Sequence, residues 1–364
     1  MARGKKADKI TTLQTTAIVV CFMLAAGLLT LPRVATEAAK TPDAWISVIL
    51  AGVGTFLSGW VIVKLSSRFP ESTFYQYVQQ ITGKFIGKGI GMLIVIYFVC
   101  IAAFEIRSVE EVTSFFLLEG TPAWAISAPF MWLSLYLCMG GVGSLGKICQ
   151  LIFPVSAAIF LLICLLSLNI FELNNLRPVL SEGGMPVLRT LKTTILTLTG
   201  TESLLIILCR MEKPEKATKA IGLAIGIAVV FYTATLILCI GAFSMEGVLS
   251  RTWPFLDLAR SFEVEYLLLE RFESLLLTIW IMQIFATFSI AFYCASLGVS
   301  QILNSSYSKM LFILLPFIYL LSQIPKNLNE LFSFGTVIGN VAFALFALLP
   351  LPLLLISRWR GVGS

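Results

Sequence analysis

Apolar runs long enough to cross a bilayer recur along almost the whole chain, and no other feature constrains its fold as much. A helix needs about 20 apolar residues to span the hydrocarbon core, and in lipid every backbone polar group must be satisfied within the protein. Reading apolar runs against polar breaks predicts ten spans, at about 11–34, 44–67, 88–117, 123–141, 147–168, 188–209, 217–243, 271–300, 309–323 and 332–357. Of the 364 residues, 58% are hydrophobic and only 13% charged, too little charge to solvate a soluble surface of this size. The chain reads as one all-α polytopic membrane domain.

Charge placement predicts the topology. The basic opening MARGKKADK leads into an apolar run, Ile10 to Leu31, that is too long for a signal-peptide core and reads as an uncleaved first helix. With the N-terminus inside, most of the 26 Lys and Arg residues fall in cytoplasmic loops, including Lys64, Arg68, Lys84, Lys88, Arg210, Lys213, Lys216, Lys219, Arg358 and Arg360. Both termini are therefore expected on the cytoplasmic side. The same bias accounts for the net charge of +6 without a nucleic-acid partner. In the outer connection 244–270, the amphipathic stretch FLDLARSFEVEYLLLE predicts a helix lying at the membrane surface.

Composition also excludes chemistry. The chain has no histidine, which removes the usual metal ligand and the usual acid–base group at neutral pH. Its eight cysteines lie in or beside apolar runs with no paired spacing and read as packing residues. GVGSLGKI (141–148) approaches a phosphate-binding loop, but Ile148 replaces the hydroxyl residue that would hold magnesium, and no strand precedes it. GKGIG (87–91) reads as close helix packing. No enzyme, metal or cofactor is expected.

Two spans carry a soft middle. FMLAAGLLTLPR (22–33) places Ala25, Ala26 and Gly27 midway along the first, and TILTLTGTESLLIIL crowds Thr197, Thr199, Gly200, Thr201 and Glu202 into the sixth. A lone glycine commonly serves helix packing. Matching interruptions five spans apart instead predict halves of opposite orientation, 11–168 and 188–357: a 5+5 inverted repeat, leucine-transporter-like, with helices 1 and 6 broken near the midplane. There, freed N–H groups can hold a carboxylate and freed carbonyls an ammonium. Pro32 then starts or bends the outer half-helix, and Arg33 caps it toward the outer surface.

Span three carries Glu105, Arg107, Glu110 and Glu111. Arg107 has glutamates three and four residues on, so an ion pair is expected, whereas Glu105 projects elsewhere and is the better candidate for lining a cavity. Glu202 either contacts a ligand or caps the broken helix. Trp280, Gln283 and Thr287 form a stripe on span eight that either faces a central cavity or hydrogen-bonds between helices.

The segments MLAAGLLTLPR (23–33), FEIRSVEEVTSFFLLE (104–119), NNLRPVLSEG (174–183) and ERFESLLLTIWIMQIFATF (270–288) resemble the B subunits of bacterial spore germinant receptors, within the amino acid–polyamine–organocation permease superfamily. The likeness runs from about Thr11 to Arg358. It implies a multi-pass protein of the spore inner membrane that senses a nutrient, often an amino acid. It also implies an A-type membrane subunit and a C-type lipoprotein as partners. Carried over by position, the ligand site would be Ala25, Ala26, Gly27, Ile101, Glu105, Thr199, Gly200, Thr201, Thr287 and Phe288. Permeases of the superfamily usually have two glycines at the first break, and here only Gly27 is present. A working amino acid permease, moving its substrate across, is the alternative.

Overall fold

The computed structural model describes residues 9–25, 27–261 and 272–363. Its helices are, in order, α1 (Thr12–Met23), α2 (Gly27–Ala39), α3 (Ala44–Ser66), α4 (Phe74–Thr82), α5 (Lys84–Phe116), α6 (Ala123–Met139), α7 (Gly141–Ser167), α8 (Met185–Thr197), α9 (Leu204–Ile207), α10 (Ala217–Leu249), α11 (Pro254–Arg260), α12 (Phe272–Ile302), α13 (Tyr307–Ser322), α14 (Leu328–Ala342) and α15 (Pro350–Trp359). Among the described residues there is no strand, only an isolated bridge between Ile10 and Met211.

Among the described residues, six helices are long and apolar enough to cross a membrane unaided: α3, α5, α7, α10, α12 and the rod formed by α14 and α15. Two further spans are bent pairs, α1 with α2 at 51° and α8 with the α9 segment (Thr201–Arg210) at 42°, while α6 and α13 are shorter apolar helices. This is the broken-helix membrane bundle expected from the apolar runs. Local chemistry sets several helix starts. Thr11 and Gln14 form a capping box on α1, and the Asn327 side chain accepts the Glu330 amide at 3.0 Å to start α14. A π-helical turn, Phe343–Leu348, joins α14 to α15 and is held to α3 where Ser58 Oγ donates to the Phe346 carbonyl at 2.8 Å.

Apolar helices in a bundle sort by how much of their surface other helices cover. In α12, 78% of the apolar window is enclosed by protein, against 22% in α7, so α12 forms the axis and α7 part of the outer wall. α12 packs chiefly on α5. On α5 the expected ion pair forms: Arg107 Nη2 lies 2.5 Å from Glu111 Oε1 and Nη1 lies 3.5 Å from Glu110 Oε2. Gln323, the residue that ends α13, donates to Glu110 at 3.0 Å, which ties the pair to the neighbouring helix. The cysteines are all free, as packing residues should be.

Two local expectations are revised. α2 begins at Gly27, so Pro32 sits inside the helix and Arg33 at mid-length rather than at an end. The Pro32 carbonyl accepts from Thr36 Oγ1 at 2.6 Å. The predicted surface helix is described only as far as Ser261, with residues 262–270 outside the described set. Within it, α11 buries Phe255, Leu256 and Leu258 against α2 and α12 instead of presenting them to lipid.

The breaks meet each other. At Gly200 the backbone turns at φ 149°, ψ −22°, a region L side chains avoid, and a Cβ there would lie 2.6 Å from Met23 Cγ. Only glycine lets the α8 break close on the end of α1. Gly200→Ala is therefore expected to lower stability by about 1–3 kcal/mol. Gly226→Ala, on α10 with open space around its Cα, should be neutral or mildly stabilising. Thermal unfolding of the two variants in detergent checks the contrast.

Candidate functional site

Breaking α1 before residue 27 frees backbone carbonyls deep in the bundle, where water cannot satisfy them. Side chains of other helices do so instead. Gln283 Nε2 and Thr287 Oγ1, both on α12, donate to the Cys21 carbonyl at 2.8 and 2.9 Å. The Tyr232 hydroxyl, on α10, donates to the Met23 carbonyl. The α8 break is closed from within: Glu202 Oε2 accepts the Gly200 amide at 2.6 Å, its Oε1 accepts the Tyr97 hydroxyl, and Ser203 Oγ donates to the Gly200 carbonyl at 2.9 Å. Of the two roles open to Glu202, the geometry selects the cap.

Between the breaks lies a cavity of about 570 Å³. Ala25 and Gly27 line it from the first break, Thr199 from the second, Ile101 and Glu105 from α5, and Thr287 from α12. Gly200, Thr201 and Phe288 do not line it. Gly200 is turned against Met23, buried Thr201 packs toward Gly59 of α3, and Phe288 stacks among Phe130 and Phe292. Ala26 lies outside the described residues. Thr287 does two things: its hydroxyl holds the Cys21 carbonyl, and its side chain forms part of the cavity wall.

The remaining wall adds residues beyond those carried over as ligand-binding. Thr193 and Thr197 line the cavity from α8, and Gly335 and Gly339 from α14. Both pairs are spaced four apart, which places each on one helix face. Gly335 lets α14 approach Phe104, where a Cβ would lie 2.9 Å from the ring, and Gly339 packs against Leu196. The spacing of Gly335 and Gly339 is the small-residue signature of close helix contact and is readable in the sequence. At the open end stand Arg33, Glu37 and Asn329.

The electrostatics of the chamber rest on one group. Glu105 is 4% exposed, and its Oε2 is a buried atom with no hydrogen-bond partner. Burying a carboxylate without a partner is costly, so this site is completed by a positive group or a proton. Gly27, which also lines the cavity, opens α2, a 13-residue helix whose start presents partial positive charge, although the Leu28 amide already reaches the Ala25 carbonyl at 3.4 Å. A Cβ at Gly27 would sit 2.5 Å from the Tyr232 hydroxyl and 2.7 Å from Thr197 Cγ2, so this close approach also requires glycine. A negative pole and a positive pole thus line a chamber whose other walls are mainly threonine and apolar side chains, with Arg33, Glu37 and Asn329 at its open end. Among the described residues no group of His, Cys, Asp and Glu side chains could hold a metal ion.

Because Gln283 and Thr287 share one acceptor, their losses should not add. Gln283→Leu or Thr287→Val alone leaves the Cys21 carbonyl one partner and should cost about 0.5–1.5 kcal/mol. The double variant strands a buried carbonyl and should exceed the sum by about 0.5 kcal/mol or more. A double-mutant cycle on thermal stability measures the difference.

A family model described as "Spore germination protein" matches residues 9–331. Spore germination protein YndE of Bacillus subtilis (strain 168) is 50% identical over 357 residues, 98% of each chain. Spore germination protein A2 of the same organism is 34% identical over 96% of this chain and 95% of its own. Among solved structures, MhsT in complex with L-phenylalanine superposes with a TM-score of 0.70 at 13% identity, covering 94% of this chain and 87% of that one. Mhp1, with bromovinylhydantoin bound, gives 0.68 at 11% identity over 96% and 78%. These likenesses fix the fold as leucine-transporter-like.

Proposed function

The chain belongs to the spore germination protein family, and from that premise we propose that it is the nutrient-binding subunit of a germinant receptor. The nutrient is a small zwitterion, an amino acid, held between the two helix breaks. One observation carries this reading: a solitary buried carboxylate, Glu105, shares a chamber with the N-terminus of α2.

Glu105 accepts the ligand ammonium, and the first amides of α2 receive its carboxylate. The ammonium goes to Glu105 because the Cys21 and Met23 carbonyls already hold internal donors. Ile101, Thr199 and Thr287 surround the side chain and favour a small or moderately apolar one. The chain lies in the spore inner membrane with both termini cytoplasmic, a reading supported by the family and by the distribution of Lys and Arg. An A-type membrane subunit and a C-type lipoprotein read its state. Ligand biases that state only through its differential affinity for two conformations, so the cavity must fit the nutrient better in one of them.

A permease reading is favoured by the fold, which this chain shares with transporters, and by resemblance to the putative amino-acid transporter CPE0389 of Clostridium perfringens, 24% identical over 68% of this chain. Fold does not decide function. Labelled alanine added to proteoliposomes of this chain alone separates the two. A signal that plateaus near one ligand per protein, whatever the vesicle volume, supports a receptor, and one that grows with internal volume identifies a permease.

Two substitutions test the site itself. Glu105→Gln removes the charge-assisted bond to the ammonium and should weaken alanine binding about ten- to a hundredfold. Ile101→Trp fills the chamber and should abolish binding at normal protein level. Equilibrium binding in detergent reads both, and unchanged affinity in either would move the ligand elsewhere.

A further inference from the structure

A second cavity, of about 550 Å³, lies where α4, the start of α5 and the end of α12 converge, and it is distinct from the chamber between the breaks. Gln76, Gln79, Gln80, Lys84, Lys88, Gln301 and Asn304 line it, and no carboxylate does.

Its construction is deliberate at the backbone. Gly83 turns the chain at φ 91°, and α5 then packs so closely on α4 that a Cβ at Gly87 would lie 2.5 Å from Gln79 Cα. That corner sets the glutamines of α4 beside two lysines one helical turn apart. Like charges at this spacing repel on a helix, and among the described residues neither lysine has an acidic partner within ion-pair distance.

The amides sharpen the polarity. Thr73 donates its backbone N–H to Gln76 Oε1 at 3.1 Å and its hydroxyl to Gln301 Oε1, so each of these side chains has its oxygen engaged and its NH₂ end left to donate. Gln79 spends one N–H on the Tyr75 carbonyl at 2.7 Å. With two ammonium groups and the opening turn of the 33-residue α5 beside them, the cavity is dominated by donors and positive charge.

What stands next to it selects the occupant. Phe85 is 93% exposed, Ile86 60% and Leu303 58%. α5 is about 50 Å long, well beyond the roughly 30 Å hydrocarbon core, so its first turn stands near the headgroup layer. Exposed apolar side chains beside a basic, amide-rich cavity match a molecule with an anionic head and acyl tails. We propose that this cavity binds the headgroup of an anionic phospholipid, with its phosphate between Lys84 and Lys88 and its chains along Phe85, Ile86 and Leu303. Free inorganic phosphate shares the head chemistry but gains nothing from the apolar side chains.

Native mass spectrometry of the full chain in detergent tests this, with dihexanoyl phosphatidylglycerol and dihexanoyl phosphatidylcholine supplied together. A lysine near an anionic headgroup contributes a factor of about five. The phosphatidylglycerol adduct should therefore exceed the phosphatidylcholine adduct about fivefold or more. K84Q/K88Q should bring the ratio close to one. Gln80→Glu, which supplies an internal counter-anion while both lysines remain, should do the same with an unchanged thermal midpoint. Equal adducts on the native chain would overturn the proposal, as would a preference that survives in both variants. Displacement of phosphatidylglycerol by equimolar inorganic phosphate would identify a free-anion site and overturn the lipid assignment.

Discussion

The Cys21 carbonyl, with the two α12 side chains that hold it, is the contact on which the rest of the architecture depends. A helix broken in mid-membrane leaves polar backbone with no water to meet it, and each orphaned group costs enough to forbid the break. Gln283, Thr287 and Tyr232 remove that cost on one side, and Glu202 with Tyr97 on the other. The chamber exists because these donors and acceptors come from the walls and leave its interior unspent. Glu105 is the exception: its Oε2 is buried in the wall with no hydrogen-bond partner among the described residues.

Much of this was legible in the sequence, in proportion to how local the cause was. Apolar run length gave an all-helical membrane bundle, small and polar residues gave both breaks, and Arg107 with Glu110 and Glu111 could be paired from helical spacing alone. Partner choice across helices was not legible. That Gln283 reaches Cys21, 262 positions away, depends on how α12 rotates against α1. Gly200 could be read as the pivot of its break, yet the sequence could not say that its open side faces Met23 rather than the cavity. Of the two roles open to Pro32, starting or bending the outer half-helix, the first is excluded because α2 already begins at Gly27.

Receptor and permease differ physically in what happens at the end away from the mouth. Arg33, Glu37 and Asn329 mark an open entrance, whereas beyond the breaks the path meets the Tyr97–Glu202 bond and the Phe22–Phe98 ring contact. A transporter must open this seal every cycle. A receptor needs only to shift its strain, and a seal built from buried hydrogen bonds suits that smaller motion.

The pairing of Ile10 with the end of the α9 segment gives this geometry a mechanical meaning. Ile10 donates its amide to Arg210 and accepts from Glu212, each at 2.9 Å, so α1 and the α9 segment share one end while each is hinged at its own break at the other. Two rods pinned together at the tip and pivoted at the base form a linkage with few ways to move. A small rotation at the pivots is delivered, over the roughly 18 Å length of α1, as a larger displacement at the joint. The joint lies where Ile10 meets Arg210 and Glu212, so motion at the two breaks is gathered at one point of the bundle.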